Sequence, residues 1–158
     1  MTAVKGRAGK VLGVFRIGAA AAVMLAVAVV AGCGTTLQYS YEPRASFPAM
    51  RTYQWAQAGP MYRPDPLIES NVQFLVDRVL AGKRLALTTD KADLVLWMSY
   101  EFDYGYPYQL RMLTLNISRA DTNELVWRGV ATGSIRTDAS SGELKKAVEG
   151  ILAHYPPK

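Results

Sequence analysis

A chain of 158 residues with one cysteine and one histidine is short of the groups that carry most enzyme chemistry. A lone thiol, Cys33, can form neither an internal disulfide nor a thiolate metal cluster. The lone imidazole, His154, stands between Ala153 and Tyr155 near the C-terminus. A catalytic triad or a histidine metal site would have to be assembled at that end of the chain. No Gly-Xaa-Ser-Xaa-Gly, Walker or His-Glu-Xaa-Xaa-His pattern occurs. We therefore expect no catalytic residues, no metal site and no cofactor, and a protein that is not an enzyme.

Acid is absent from the first stretch. Met1 to Arg16 carries Lys5, Arg7, Lys10 and Arg16 and no Asp or Glu. From Ile17 to Val30 charge is absent altogether: "IGAAAAVMLAVAVV". A basic start, a short apolar run and a small-residue exit make a secretory signal peptide. The run is too short to span a bilayer, which takes about 20 apolar residues. We assign residues 1–32 as signal helix, 33–37 as a short tether and 38–158 as one domain.

A strong charge of either sign is also missing from the domain. The chain has 18 Lys and Arg against 13 Asp and Glu. Removing the four basic residues of the signal leaves 14 against 13. The pI of 9.4 is thus mostly a property of the leader. No basic run exceeds Lys83-Arg84 or Lys145-Lys146, so nucleic acid is not an expected partner.

What is present is an alternating pattern. "LQYSYEP" (Leu37 to Pro43) has the two-residue period of a half-buried strand, and "RTYQWAQ" (Arg51 to Gln57) is a second candidate. Gly59-Pro60 and Pro64 mark a loop. Asp65 is suited to cap a helix that opens on Pro66, and Gly82 to end it. Ile68, Val72, Leu75, Val76, Val79 and Leu80 lie on one face of that helix. "ADLVLWMSYEFDY" (Ala92 to Tyr104), "QLRMLTLNISRA" (Gln109 to Ala120) and "ELVWRGVATGSI" (Glu124 to Ile135) read as three further strands. Ser140 and Glu143 form a capping-box pattern. Behind them Leu144, Ala147, Val148, Ile151 and Leu152 line a second amphipathic helix. The expected order is β-β-α-β-β-β-α. The expected fold is α+β, a two-layer sandwich with a mainly antiparallel sheet of about five strands and both helices on one face. The strands flanking the first helix could lie parallel if adjacent.

Three places attract a functional reading. Glu101 and Asp103 alternate onto one face of a strand, as paired carboxylates or as a solvated edge. Arg128, opposite in direction to Trp127, could pair with either of them; Gly129 suggests a bulge or a close backbone approach. "YEFDYGYPYQ" (Tyr100 to Gln109) places Tyr104, Tyr106 and Tyr108 around a turn with Gly105 and Pro107. Tyrosine offers a large rigid surface with a hydroxyl, suited to an interface. The same rings could instead pack over the end of the sheet. A small apolar or lipid ligand held between sheet and helices is the alternative function.

The segment Val30-Ala31-Gly32-Cys33 resembles the lipobox of bacterial lipoproteins. The resemblance implies a diacylglycerol on the Cys33 thiol, cleavage between Gly32 and Cys33, and acylation of the new N-terminus. Two or more acyl chains give stable anchoring. Gly34, where an Asp would imply inner-membrane retention, points to the outer membrane, facing the periplasm. The domain resembles lipoproteins of the DUF4136 family. The carrying segments are "TYQWA" (Thr52 to Ala56), "PDPLIESNV", "ADLVLWMSY", "LNISRADTNELVWRGVATG" (Leu115 to Gly133) and "AVEGILAHYPP" (Ala147 to Pro157). That family implies a compact α+β domain, no established activity and no catalytic residues. The implied partners are the membrane, through Cys33, and an envelope protein or peptidoglycan.

Overall fold

The computed structural model describes residues 34–57, 65–138 and 141–157. Residues 1–32, expected to be a signal, Cys33, the expected loop at Gly59-Pro60 and Pro64, and Ser140 lie outside the described residues.

Alternation produces the sheet. Strands β1 (Thr36–Tyr41), β2 (Thr52–Trp55), β3 (Ala86–Leu87), β4 (Leu94–Phe102), β5 (Gln109–Arg119) and β6 (Leu125–Arg136) form one sheet in the order β1-β6-β5-β4-β2-β3. Helix α1 (Pro66–Gly82) and helix α2 (Glu143–Leu152) complete the fold. The class is α+β, as the sequence pattern predicts. The sheet has six strands rather than five. The extra one, β3, is only two residues long and pairs parallel with β2. No alternation can be read from two residues. β2 and β4, joined through α1, are adjacent and parallel. β1 opens at Thr36, so Thr36 and Leu37 belong to the sheet and not to the tether.

One face of the sheet carries the core. Leu94, Leu96, Leu113, Leu115, Ile117, Trp127 and Ala131 are buried with Val72, Val76 and Leu80 of α1 and Val148, Ile151 and Leu152 of α2. Full burial of such a side chain contributes about 1.5–3 kcal/mol. The register aligns these side chains: Leu96 faces Ile117, and Ile117 faces Trp127. Trp127 meets Tyr155 edge to face, and Tyr155 meets Phe47 in the same way.

Two features explain how the helices start. The Asp65 carboxylate accepts the N–H groups of Leu67 and Ile68, with Pro66 at the first helical position. α2 starts differently from the capping-box expectation. Its cap is Gly142 in a left-handed conformation (φ 65°), a backbone state that glycine adopts without strain. The Glu143 carboxylate accepts the backbone N–H of Arg136 at 2.9 Å.

Long-range polar ties fix β2. The Asp93 carboxylate accepts the N–H groups of Arg51 and Thr52 and the Thr52 hydroxyl. Behind β2, one oxygen of Asp77 on α1 accepts the Tyr53 hydroxyl at 2.7 Å and the Trp55 indole N–H at 3.0 Å. Burial, with the Asp77 carboxylate beside it, pushes the Tyr53 hydroxyl well above the ordinary phenol range.

Candidate functional site

The β4–β5 hairpin ends in a turn that its own hydrogen bonds hold in place. Asp103 N–H donates to the Gln109 carbonyl at 2.8 Å, and Tyr106 N–H to the Asp103 carbonyl at 3.0 Å. The Asp103 carboxylate accepts the Gln109 side-chain N–H at 2.9 Å and the Gly105 N–H at 3.3 Å. The Tyr108 carbonyl accepts both the N–H and the hydroxyl of Thr137, which follows β6. Tyr108 itself sits in the left-handed region (φ 57°), unusual for a bulky side chain.

This backbone holds three tyrosines in solvent. Tyr104 is 97% exposed, Tyr106 64% and Tyr108 71%. Among the described residues, none of their rings stacks on another ring. The rings therefore do not pack over the sheet end. The strained Tyr108 backbone is held by the two bonds that Thr137 gives to its carbonyl.

The charged residues do not gather as expected. Glu101 pairs with Arg111, whose Nε donates to it at 2.7 Å. Asp103 is a turn residue beyond the end of β4 and binds the loop backbone. Arg128 does lie on the face opposite Trp127, but it pairs with neither acid. Its Nε donates to Asn116 Oδ1 at 2.8 Å. The register explains this: Arg128 stands opposite Asn116, and Asn116 opposite Trp97, whereas Glu101 stands opposite Met112. Trp97 and Glu101 are four residues apart on β4, about 13 Å at strand spacing. Trp127 is buried in the core, and Gly129 is the close approach rather than a bulge: a Cβ there would overlap the Trp127 ring and come within 2.6 Å of Ile151.

The open face thus presents Trp97, Asn116 and Arg128 in one cross-strand row. Asn116 is buried beneath its neighbours, and its amide nitrogen has no partner among the described residues. A concavity of about 610 Å³ lies between Ser46–Met50, the loop before β4 and the β5–β6 turn. Sequence patterning gave no sign of it, because its walls come from three separate loops. Charged Asp90, Lys91, Arg119 and Asp121 line it beside apolar Met50 and Ala92. Arg119 grips Asp121 with two hydrogen bonds and pulls its carboxyl down to about 2. His154, the only imidazole, stacks on Tyr39 with ring centroids 4.4 Å apart. Among the described residues no group of three His, Cys, Asp or Glu side chains could hold a metal, and no helix is long and apolar enough to cross a membrane.

The family model described as "Domain of unknown function (DUF4136)" matches residues 37–157. No curated protein sequence matches the chain. Among solved structures, the fold is similar to a PDZ domain protein from Parabacteroides distasonis (TM-score 0.58, 11% identity). That likeness covers 78% of this chain but 36% of the other, so this chain spans about a third of that protein's length. The PelC dodecamer from Paraburkholderia phytofirmans is similar at a TM-score of 0.55 and 12% identity, over 76% of this chain and 96% of PelC. A DUF4136 family protein from Bacteroides thetaiotaomicron is similar at 0.53 and 14% identity, over 75% of this chain and 92% of its own. At these identities the likeness shows the fold.

Proposed function

This chain belongs to the DUF4136 family, and from that premise we propose that it is a lipid-anchored, non-enzymatic envelope lipoprotein that binds or assembles with a partner through its tyrosine hairpin. The observation that carries the binding reading is the hairpin tip: three tyrosines exposed on a backbone fixed by Asp103 and Thr137. Rigid aromatic rings lose little conformational entropy on contact and give much area, which is what an interface needs. The lipobox-like Val30-Ala31-Gly32-Cys33 supports the anchor, and Gly34 supports the periplasmic face of the outer membrane. The lack of any recognised catalytic pattern supports a non-enzymatic role. PelC, which shares the fold, is a dodecamer, and this supports an assembly role by analogy of fold.

A ligand carrier is the weaker reading. The space between sheet and helices is filled by Leu80, Leu113, Trp127, Val148 and Leu152, all fully buried. The 610 Å³ cleft lies elsewhere, between loops and not between sheet and helices.

The test is a photo-cross-linking residue at Tyr106 in the full-length chain, irradiated in living cells. A discrete protein adduct is expected. Adducts to lipid or glycan alone, or none, would count against a protein-assembly role. Mass spectrometry of the N-terminal peptide should find acyl chains on Cys33, and Cys33→Ser should leave the membrane fraction. A soluble wild type would refute the anchor.

A further inference from the structure

The sheet has two edges, and they are unequal. β3 offers two residues, Ala86 and Leu87. β1 offers six, and every one of them is exposed.

The backbone of β1 faces outward at alternate residues. Its register with β6 runs Thr36 to Thr132 through Tyr41 to Trp127. Glu42 continues that register, and its N–H donates to the Val126 carbonyl at 2.9 Å. In an antiparallel ladder, N–H and C=O of one residue point the same way and the direction alternates along the strand. Glu42, Ser40, Gln38 and Thr36 therefore bond to β6. Leu37, Tyr39 and Tyr41 direct their N–H and C=O groups away from it, to the free edge. The same three side chains lie on the helix side of the sheet. Leu37 packs against Gly150, Tyr39 stacks on His154, and Tyr41 meets Phe47. They remain 43%, 48% and 42% exposed.

Edge strands in natural proteins are usually blunted by a charge, a proline or a bulge. β1, with the sequence TLQYSY, has none of these, and its register with β6 is unbroken. An edge left in this state is a template for another strand.

We propose that β1 pairs antiparallel with β1 of a second copy of this chain, about a two-fold axis at Tyr39. The inference rests on the assembly reading above and names a second copy as a partner. Three features select that occupant. The outward-facing set is self-complementary: Tyr39 falls opposite its own copy and Leu37 opposite the copy's Tyr41, so all three residues form hydrogen-bonded pairs. No like charges meet, because β1 is uncharged and in this register Glu42 falls opposite Thr36 and Arg44 opposite Gly34 of the copy. The other edge, β3, is too short to take a six-residue strand, so a head-to-tail pairing of β1 on β3 would leave most of these groups open. A two-fold contact is also the commonest way for identical chains to close. The half-exposed Leu37, Tyr39 and Tyr41 of both copies would be covered together, and the two sheets would become one.

The test uses the full-length chain, produced in cells that process it. Tyr39→Cys should give a disulfide-linked dimer on mild oxidation, since paired strand residues lie within disulfide reach. Leu37→Cys alone should not, because it faces Tyr41 of the copy, whereas the pair Leu37→Cys with Tyr41→Cys should. Wild type is the control for Cys33. Light scattering of the detergent-extracted wild type, which needs no variant, should give twice the monomer mass. Tyr39→Pro should halve that mass, because it blocks an outward N–H and spares the bonds to β6. A monomeric wild type with no Tyr39→Cys dimer overturns the proposal. So does equal cross-linking by Tyr39→Cys, Leu37→Cys and the double variant, which would mark random collision. Failure here leaves the Tyr106 adducts unaffected, so the two readings fail separately.

Discussion

The indole of Trp127 lies over Gly129, two residues further along the same strand and on the same face. A methyl group at Gly129 would overlap the ring and press on Ile151 of α2. Gly129→Ala should therefore destabilise the domain by about 1–3 kcal/mol, the usual cost of overpacking a filled core. Trp127→Phe in the same chain should recover part of that loss. Denaturant melts of the two single variants and the double variant would show non-additivity; strictly additive losses would refute the contact.

Asp77 holds two aromatic donors with one oxygen. Tyr53→Phe removes one bond and should cost about 1 kcal/mol. Asp77→Ala leaves both the Tyr53 hydroxyl and the Trp55 indole N–H without an acceptor, and should cost about 2–3 kcal/mol. Chemical denaturation gives the order directly, and a larger loss for Tyr53→Phe would contradict it.

Asp93 gives a pH dependence of defined sign. Backbone N–H groups of Arg51 and Thr52, with the Thr52 hydroxyl, hold its carboxyl below the usual range. A group whose folded pKa is lowered stabilises fully above its unfolded value, about 3.9 for Asp. That contribution is lost as pH falls through the lower, folded value. Asp93→Asn should be less stable than wild type at pH 7, by about 1 kcal/mol for the weakened hydrogen bonds. The gap should narrow as the pH is taken below 4. A gap independent of pH would show that the carboxylate charge plays no part.

The hairpin tyrosines should be separable from stability. Changing Tyr104 and Tyr106 to Ser removes little buried surface, so the stability should move by no more than about 0.5 kcal/mol. The same change should abolish adducts from a probe placed at Tyr108. Unfolding of the double variant, or unchanged adducts, would argue against a contact surface.

Tyr108 holds a left-handed backbone that costs a bulky side chain roughly 1 kcal/mol or more. Tyr108→Gly should keep the Thr137 bonds to its carbonyl and leave the domain as stable or more so. A marked loss in thermal melts would mean that the ring, and not the backbone, secures the turn.

Much of this fold was legible because burial imposes a period. Leu113, Leu115 and Ile117 alternate with polar neighbours, and Ile68, Val72, Val76 and Leu80 recur at helical spacing, so both were readable in place. The pairing of Arg128 was not. It depends on which residue stands opposite across β5, and the register shifts at Leu110/Met112 and Ile117/Ser118 leave no local trace. The roles of Asp77 and Asp93 leave no local trace for the same reason, since their partners lie more than twenty residues away. The start of α2 was misread because Gly142 uses backbone freedom where Ser140 and Glu143 offered a side-chain pattern. The tyrosine hairpin is visible in the sequence, but the solvent exposure of its rings is not, because it depends on what packs at the sheet end.

The order of the strands in space also sets an order in time. β4, β5 and β6 are joined by short turns and can zip as soon as they exist, because closing a short loop costs little. β1 has its only partner in β6, some ninety residues further along the chain, and pairings that distant form late. The first strand to be synthesised is thus among the last to be satisfied. Until Val126 to Thr132 arrive, both edges of TLQYSY stand open, and every neighbouring nascent copy presents the same uncharged segment.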